Sequence, residues 1–247
     1  VMRTSLQLLI CALILSTIVF FFCHIKFLNK PDLFDILSNR DYLNKLSKMD
    51  LYVRGVKNIE EYIQNNIRTS VSFASFYEKI KLICLILIVD IQVLLSNSST
   101  EFFDKIKYVK IPWKIGVVDG DLYEDGLPHT RNGNIILSRD TIRYSSNQHL
   151  LQLLLHEKVH VYQYFNKGDV QKYIKTRNLK RVKKNKRVRA NPDIDDYTYE
   201  DSSGNKYQAI YRDNAKSISD VDYEMGNSQF YEHPYESMAI QLEKIVK

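Results

Sequence analysis

The chain has 247 residues, with 35 Lys and Arg against 29 Asp and Glu and a formal net charge of +6. That length allows one catalytic-sized domain with appendages, and three cysteines, two of them inside one apolar run, exclude a fold held by a disulfide framework. The basic excess is local: residues 175–189 hold nine Lys and Arg and no acid, so nucleic acid is not expected as the main partner of the whole chain.

From residue 5 to about residue 25 the chain is Leu, Ile, Val, Phe and Ala with no charge, between Arg3 and Lys26. About 20 such residues match the hydrocarbon thickness of a bilayer, and no small-residue cleavage site follows. Residues 1–30 are therefore expected to be a membrane anchor and its flank, one uncleaved transmembrane helix of a single-pass membrane protein. Its orientation is left open by the few cations around it. Residues 31–247 follow as the main domain.

Residues 32–46 and 58–67 carry apolar residues at helical spacing, with Asp32 and Asn58 as candidate caps. Residues 82–95 are apolar but short and contain Asp90; a charge at mid-membrane is expensive, which favours a buried core helix. Residues 108–118 read as a strand with an irregularity at Pro112, Asp119-Gly120 as a turn, and residues 134–138 as a second short strand.

A helix is expected next, from a cap at Ser145 with Gln148 to a stop at Gly168. It contains His156-Glu157-Lys158-Val159-His160. Positions i and i+4 lie one turn apart on one helix face, so both imidazoles reach one cation. Glu157 projects beside that face, where a carboxylate can activate water without being a ligand. His149 is two turns before His156, about 10 Å away and too far to share the ion; it reads as a capping-turn or surface residue.

Catalytic zinc takes a third protein ligand. Pro234 suits the first turn of a helix running to about residue 246, which places Glu236 on a rigid element. Glu236 is the favoured third ligand, with Glu232 and His233 as rivals.

The pattern HEKVH followed downstream by Glu236-Ser237-Met238-Ala239 resembles the gluzincin class of zinc metallopeptidases. Together with Gly126-Leu127-Pro128-His129-Thr130-Arg131, the run from Arg189 to Asp195 and Glu232 to Glu236, it is similar to metallopeptidases attributed to large DNA viruses, from about residue 50 to the end. The resemblance implies a zincin-like fold, here α+β, mainly helical with a small sheet, and Zn2+ on His156, His160 and Glu236. It implies Glu157 as general base and a peptide or protein substrate. In such folds an edge strand before the metal helix pairs with an extended peptide. Residues 134–138 take that place, and His129 and Arg131 either line the cleft or form a structural turn. No position matches an oxyanion-stabilising residue.

A different class of function stays open beside the peptidase. In it the chain is a membrane-anchored binding or scaffold protein whose zinc site is vestigial or structural. The basic insertion at about 175–189 would then hold an anionic partner, a nucleic acid or a membrane surface. As a solvated insertion, the same segment has no partner.

Overall fold

Parallel strands need both faces covered, and the strands of the main sheet carry apolar residues on both. The computed structural model describes residues 24–97, 100–184 and 187–245. Strands β1 (Ile25–Phe27), β2 (Trp113–Val118), β3 (His129–Arg131) and β4 (Asn134–Ser138) form a four-stranded sheet in the order β1-β2-β4-β3. The first three strands in that order are parallel, and β3 runs antiparallel to β4 as an edge. Successive side chains of a strand face opposite ways. Trp113, Ile115, Val117, Ile135 and Leu137 join one core, Val118 and Ile136 another.

Helix α1 (Lys30–Leu37) covers the second face. A methyl of its Leu33 lies 2.5 Å from where a Cβ on Gly116 would be, so any larger residue there would force that side chain to shift. The first face is covered by α2 (Phe76–Leu95) and α3 (Asn147–Phe165). A capping box of Ser75 and Glu78 starts α2, and Ser146 Oγ caps α3 by accepting from His149 N. Helix α4 (Lys167–Thr176) follows, then two small antiparallel sheets. These are β5 (Lys180–Val182), β6 (Thr198–Glu200) and β7 (Lys206–Tyr207), and β8 (Ala209–Tyr211) with β9 (Val221–Tyr223). Helix α5 (Pro234–Glu243) packs along α3.

The expected fold needs correction. Among the described residues the domain is α+β with helix the larger part, as expected, but nine short strands form three sheets instead of one small sheet. The expected transmembrane helix is corrected as far as the described residues go: no helix among them is long and apolar enough to cross a membrane. Ile25, the expected end of the span, instead opens β1, paired with Trp113; residues 1–23 of the span lie outside the described residues. The main sheet thus takes a strand from the stretch assigned to the anchor's flank.

Smaller differences have local causes. The helix expected over residues 32–46 breaks into α1, capped by Asn29 rather than Asp32, and a short helix Arg40–Leu43 capped by Asn39. Asn58 does cap a helical stretch, whose centre Tyr62–Ile67 is π-helical. The strand expected from residue 108 begins only at Trp113, because Asp104 caps the helix Lys105–Lys110 before Pro112. The cap of α3 is Ser146, not Ser145, and Gly168 lies inside α4 rather than ending α3. Residues 82–95 are part of α2, where buried Asp90 accepts from Trp113 Nε1 at 3.0 Å.

Candidate metal centre

Two helices bring the site together. On α3, His156 and His160 stand one turn apart with their Nε2 atoms 3.1 Å from each other. On α5, Glu236 lies in the first turn behind Pro234, its Oε2 3.3 Å from His156 Nε2 and 3.5 Å from His160 Nε2. All three residues are buried. Three donors about 2.0–2.1 Å from one tetrahedral ion stand about 3.3–3.4 Å apart, so the separations suit a single small cation.

The hydrogen bonds around these residues decide what they can hold. His156 Nδ1–H donates to Glu243 Oε1 at 2.6 Å, and His160 Nδ1–H donates to Gln163 Oε1 at 2.9 Å. Gln163 is itself oriented by donating Nε2–H to Tyr235 O at 2.9 Å. With both Nδ1 atoms used as donors, each Nε2 presents a lone pair. Glu236 accepts from Asn191 Nδ2 at 3.0 Å and Gln229 Nε2 at 2.9 Å and still faces the imidazoles. With neutral imidazoles three acceptors converge on one point, which calls for positive charge there, either a bound cation or protons taken up by the imidazoles.

The electrostatics of the cluster make the same demand. Burial opposes a charge on His156, but the bonds to Glu236 and Glu243 outweigh it and raise the imidazole well above its usual value. Burial also opposes charge on His160, and Glu236 again raises it. Burial pushes Glu236 up, yet His160 and the bonds from both imidazoles hold it well below the ordinary carboxylate range.

Glu157 is buried beside this group and is not one of the three converging ligands. Thr130 Oγ1 stands 3.2 Å from both its Oε2 and its main-chain oxygen. Burial pushes the carboxyl up to about 7, with His156 opposing and Glu236 adding to the rise. Lys158, the next residue, turns into the core. Its Nζ donates to Ile111 O at 2.5 Å, 4.0 Å from the Trp113 ring centroid, and burial brings it down to about 7.

The rivals for third ligand are committed elsewhere. Glu232 takes a bidentate ion pair from Arg189, at 2.5 and 3.2 Å. His233 caps α5 through Nδ1 and meets Asp195 Oδ1 with Nε2 at 3.1 Å. His149 is exposed on the rim of a cavity of about 470 Å³ that His156, Glu157, His129, Asp193 and Gln229 line. His129 forms wall: its Nδ1–H donates to Leu127 O, its Nε2 accepts from Tyr123 OH, and burial brings it down to about 4.

The edge strand differs from expectation. Residues 134–138 form β4, which lies inside the sheet, and the free edge is β3. The outward N–H of Thr130 on that edge is taken by Asp193 Oδ1 at 2.5 Å. Asp193 is a site residue absent from the sequence-based set. Burial pushes its carboxyl well above the aspartate range, His160 opposes this, and Glu157 and Glu236 add to it. Gln163 and Glu243 were also missed, although each stands at helical spacing from a ligand: His160 plus three and Glu236 plus seven. In the basic segment, Arg181 stacks on Tyr197 at 4.5 Å and Arg187 pairs with Asp213 at 2.7 Å, so part of its charge meets protein groups.

Comparison with protein-family models, with curated proteins and with solved structures finds no match to this chain.

Proposed function

We propose that the chain is a zinc-dependent metallopeptidase of the gluzincin type, with His156, His160 and Glu236 as ligands and Glu157 as general base. The observation that carries this is the convergence of two imidazole lone pairs and a carboxylate oxygen within 3.1–3.5 Å, each ligand oriented by its own partner. A His-His-carboxylate set suits zinc. Zinc, when bound, lowers the pKa of water and polarises a carbonyl oxygen.

The chain's own residues supply the rest. Glu157, near neutrality in proton affinity, takes a proton from water and returns it to the departing amine nitrogen. Thr130 keeps its carboxylate in place. Glu243 and Gln163 fix the imidazole tautomers, and Asn191 and Gln229 fix the Glu236 carboxylate. The first cavity admits a substrate to the side of the centre where His156 and Glu157 lie.

Glu157→Gln tests the assignment. Elemental analysis should find wild-type zinc content, while mass spectrometry of a digested peptide library should find no cleavage. Equal cleavage by variant and wild type would remove Glu157 as the base, and a wild-type protein that takes up no zinc would remove the centre.

A further inference from the structure

Three arginines are buried among the described residues, and only two have a carboxylate partner. Arg54 pairs with Glu124 and Arg189 with Glu232, both at 2.5 Å. Arg131, 2% exposed, has no such ion pair. Its Nη2 donates to Leu37 O at 3.3 Å, its guanidinium carbon stands 4.1 Å from the centroid of the Tyr42 ring, and its Nη1 has no hydrogen-bond partner. An unpaired buried charge is costly, and a fork already stacked and held at one end is preorganised for an anion.

A cavity lies beside the guanidinium. Arg131 lines a second cavity, of about 430 Å³, with Tyr42, His160, Lys167, Lys184 and Asp193. Two of the acids on its wall are engaged: Asp195 with His233 and Tyr199, and Asp196 with Lys45. The segment Ala190–Asp193 is the wall it shares with the first cavity. Thr130 turns toward Glu157 and the next side chain, Arg131, to the opposite face, so the cavity bends around the free edge of β3. Arg131 and the residue that touches the base are thus neighbours along β3, with their side chains on opposite faces.

We infer that this second cavity recognises a carboxylate of the substrate, with Arg131 as its anchor. The inference rests on the peptidase assignment for the source of that carboxylate, either an acidic side chain or the C-terminus of a peptide. Arg131 is a specificity-determining residue here, not a ligand or a base.

Binding to the full-length, zinc-loaded Glu157→Gln protein tests it, measured by calorimetry with two blocked peptide pairs. One pair compares N-acetyl-Ala-Asp-amide with N-acetyl-Ala-Asn-amide, the other N-acetyl-Ala-Ala with its C-terminal amide. The acid should bind about 10- to 100-fold more tightly than its neutral mate in one pair, the worth of a charge-assisted hydrogen bond. The pair that shows it identifies the source. Arg131→Met should abolish the preference, and Arg131→Lys, which keeps charge without the fork, should weaken it. A preference that survives Arg131→Met, as it would for a carboxylate held by the metal, overturns the inference, as does no preference in either pair. If Arg131→Met fails to fold, an unweakened preference in Arg131→Lys overturns it. Acid preference without cleavage by wild type would keep the anion site and remove the peptidase; cleavage without preference would do the reverse.

Discussion

Two clusters of buried charge border the first cavity, and their hydrogen bonding is opposite in kind. Around Arg54, donors meet acceptors: the guanidinium spans Glu124 at 3.2 and 2.5 Å, Tyr62 OH adds to Glu124 at 2.8 Å, and Tyr211 OH and Ala190 N both reach Asp50 at 2.9 Å. Around Glu236, acceptors meet acceptors, and every donor nearby serves only to aim them. The first cluster is complete in itself and ties the segment bearing Ala190 to the helix bearing Asp50. The second is complete only with added positive charge, a bound cation or protons on its imidazoles. Burial alone does not mark a functional site; an unbalanced set of buried donors and acceptors does.

The largest effect should come from breaking the balanced cluster. Arg54→Met leaves Glu124 and Asp50 without their cation, and urea unfolding should show a loss of about 3–5 kcal/mol. A loss under about 1 kcal/mol would mean that the cluster relaxes toward solvent, as a surface pair does.

Zinc should separate the clusters further. Returning zinc to chelated protein should raise unfolding stability by about 4 kcal/mol when free zinc is roughly a thousand times its Kd. Arg54→Met should keep that increment and His160→Ala should lose it. An increment retained by His160→Ala would place the metal elsewhere.

What was legible in the sequence follows the same division. The two histidines, Glu157 and Glu236 could be read because helical spacing fixes which side chains share a face, and Pro234 fixes where α5 starts. Gln163 and Glu243 obey that periodicity too and were open to the same reasoning. Asn132-Gly133 was equally open: both residues have positive φ, at 50° and 74°, the signature of a two-residue hairpin turn. Recognising that turn would have paired β3 with β4; that β3 is the edge follows only from the parallel pairing of β2 with β4. Thr130 and Asp193 were not legible, because they meet Glu157 and the edge through tertiary contacts across 27 and 63 residues. The N-terminal run lies outside the described residues up to residue 23, and the strand Ile25–Phe27 that follows it was not read because three residues are too few to show a period.

A middle-sized effect is expected one shell out from the ligands. Glu243 is partly exposed, so Glu243→Gln should leave the fold intact while weakening the Nδ1 bond that makes His156 Nε2 basic. Competition against a chelator should show zinc affinity about 10- to 100-fold lower. The equivalent exchange Glu232→Gln disturbs a balanced ion pair with Arg189 instead, and should cost stability with little change in zinc affinity. If both variants lose zinc alike, the distinction between the clusters fails.

The smallest effect belongs to Thr130, which touches neither cluster's ion pairs. Its hydroxyl is shared between two oxygens of Glu157, each at 3.2 Å, so it aims the carboxylate without fixing it rigidly. Thr130→Val keeps the shape and removes the donor, for about 0.5–1.5 kcal/mol, or roughly a two- to tenfold fall in kcat. KM and zinc content should stay at wild-type values, and Thr130→Ser should restore the rate. A fall in zinc content with Thr130→Val would instead make this residue part of the frame that holds α3 against β3. The edge strand would then be structural where the helix is chemical.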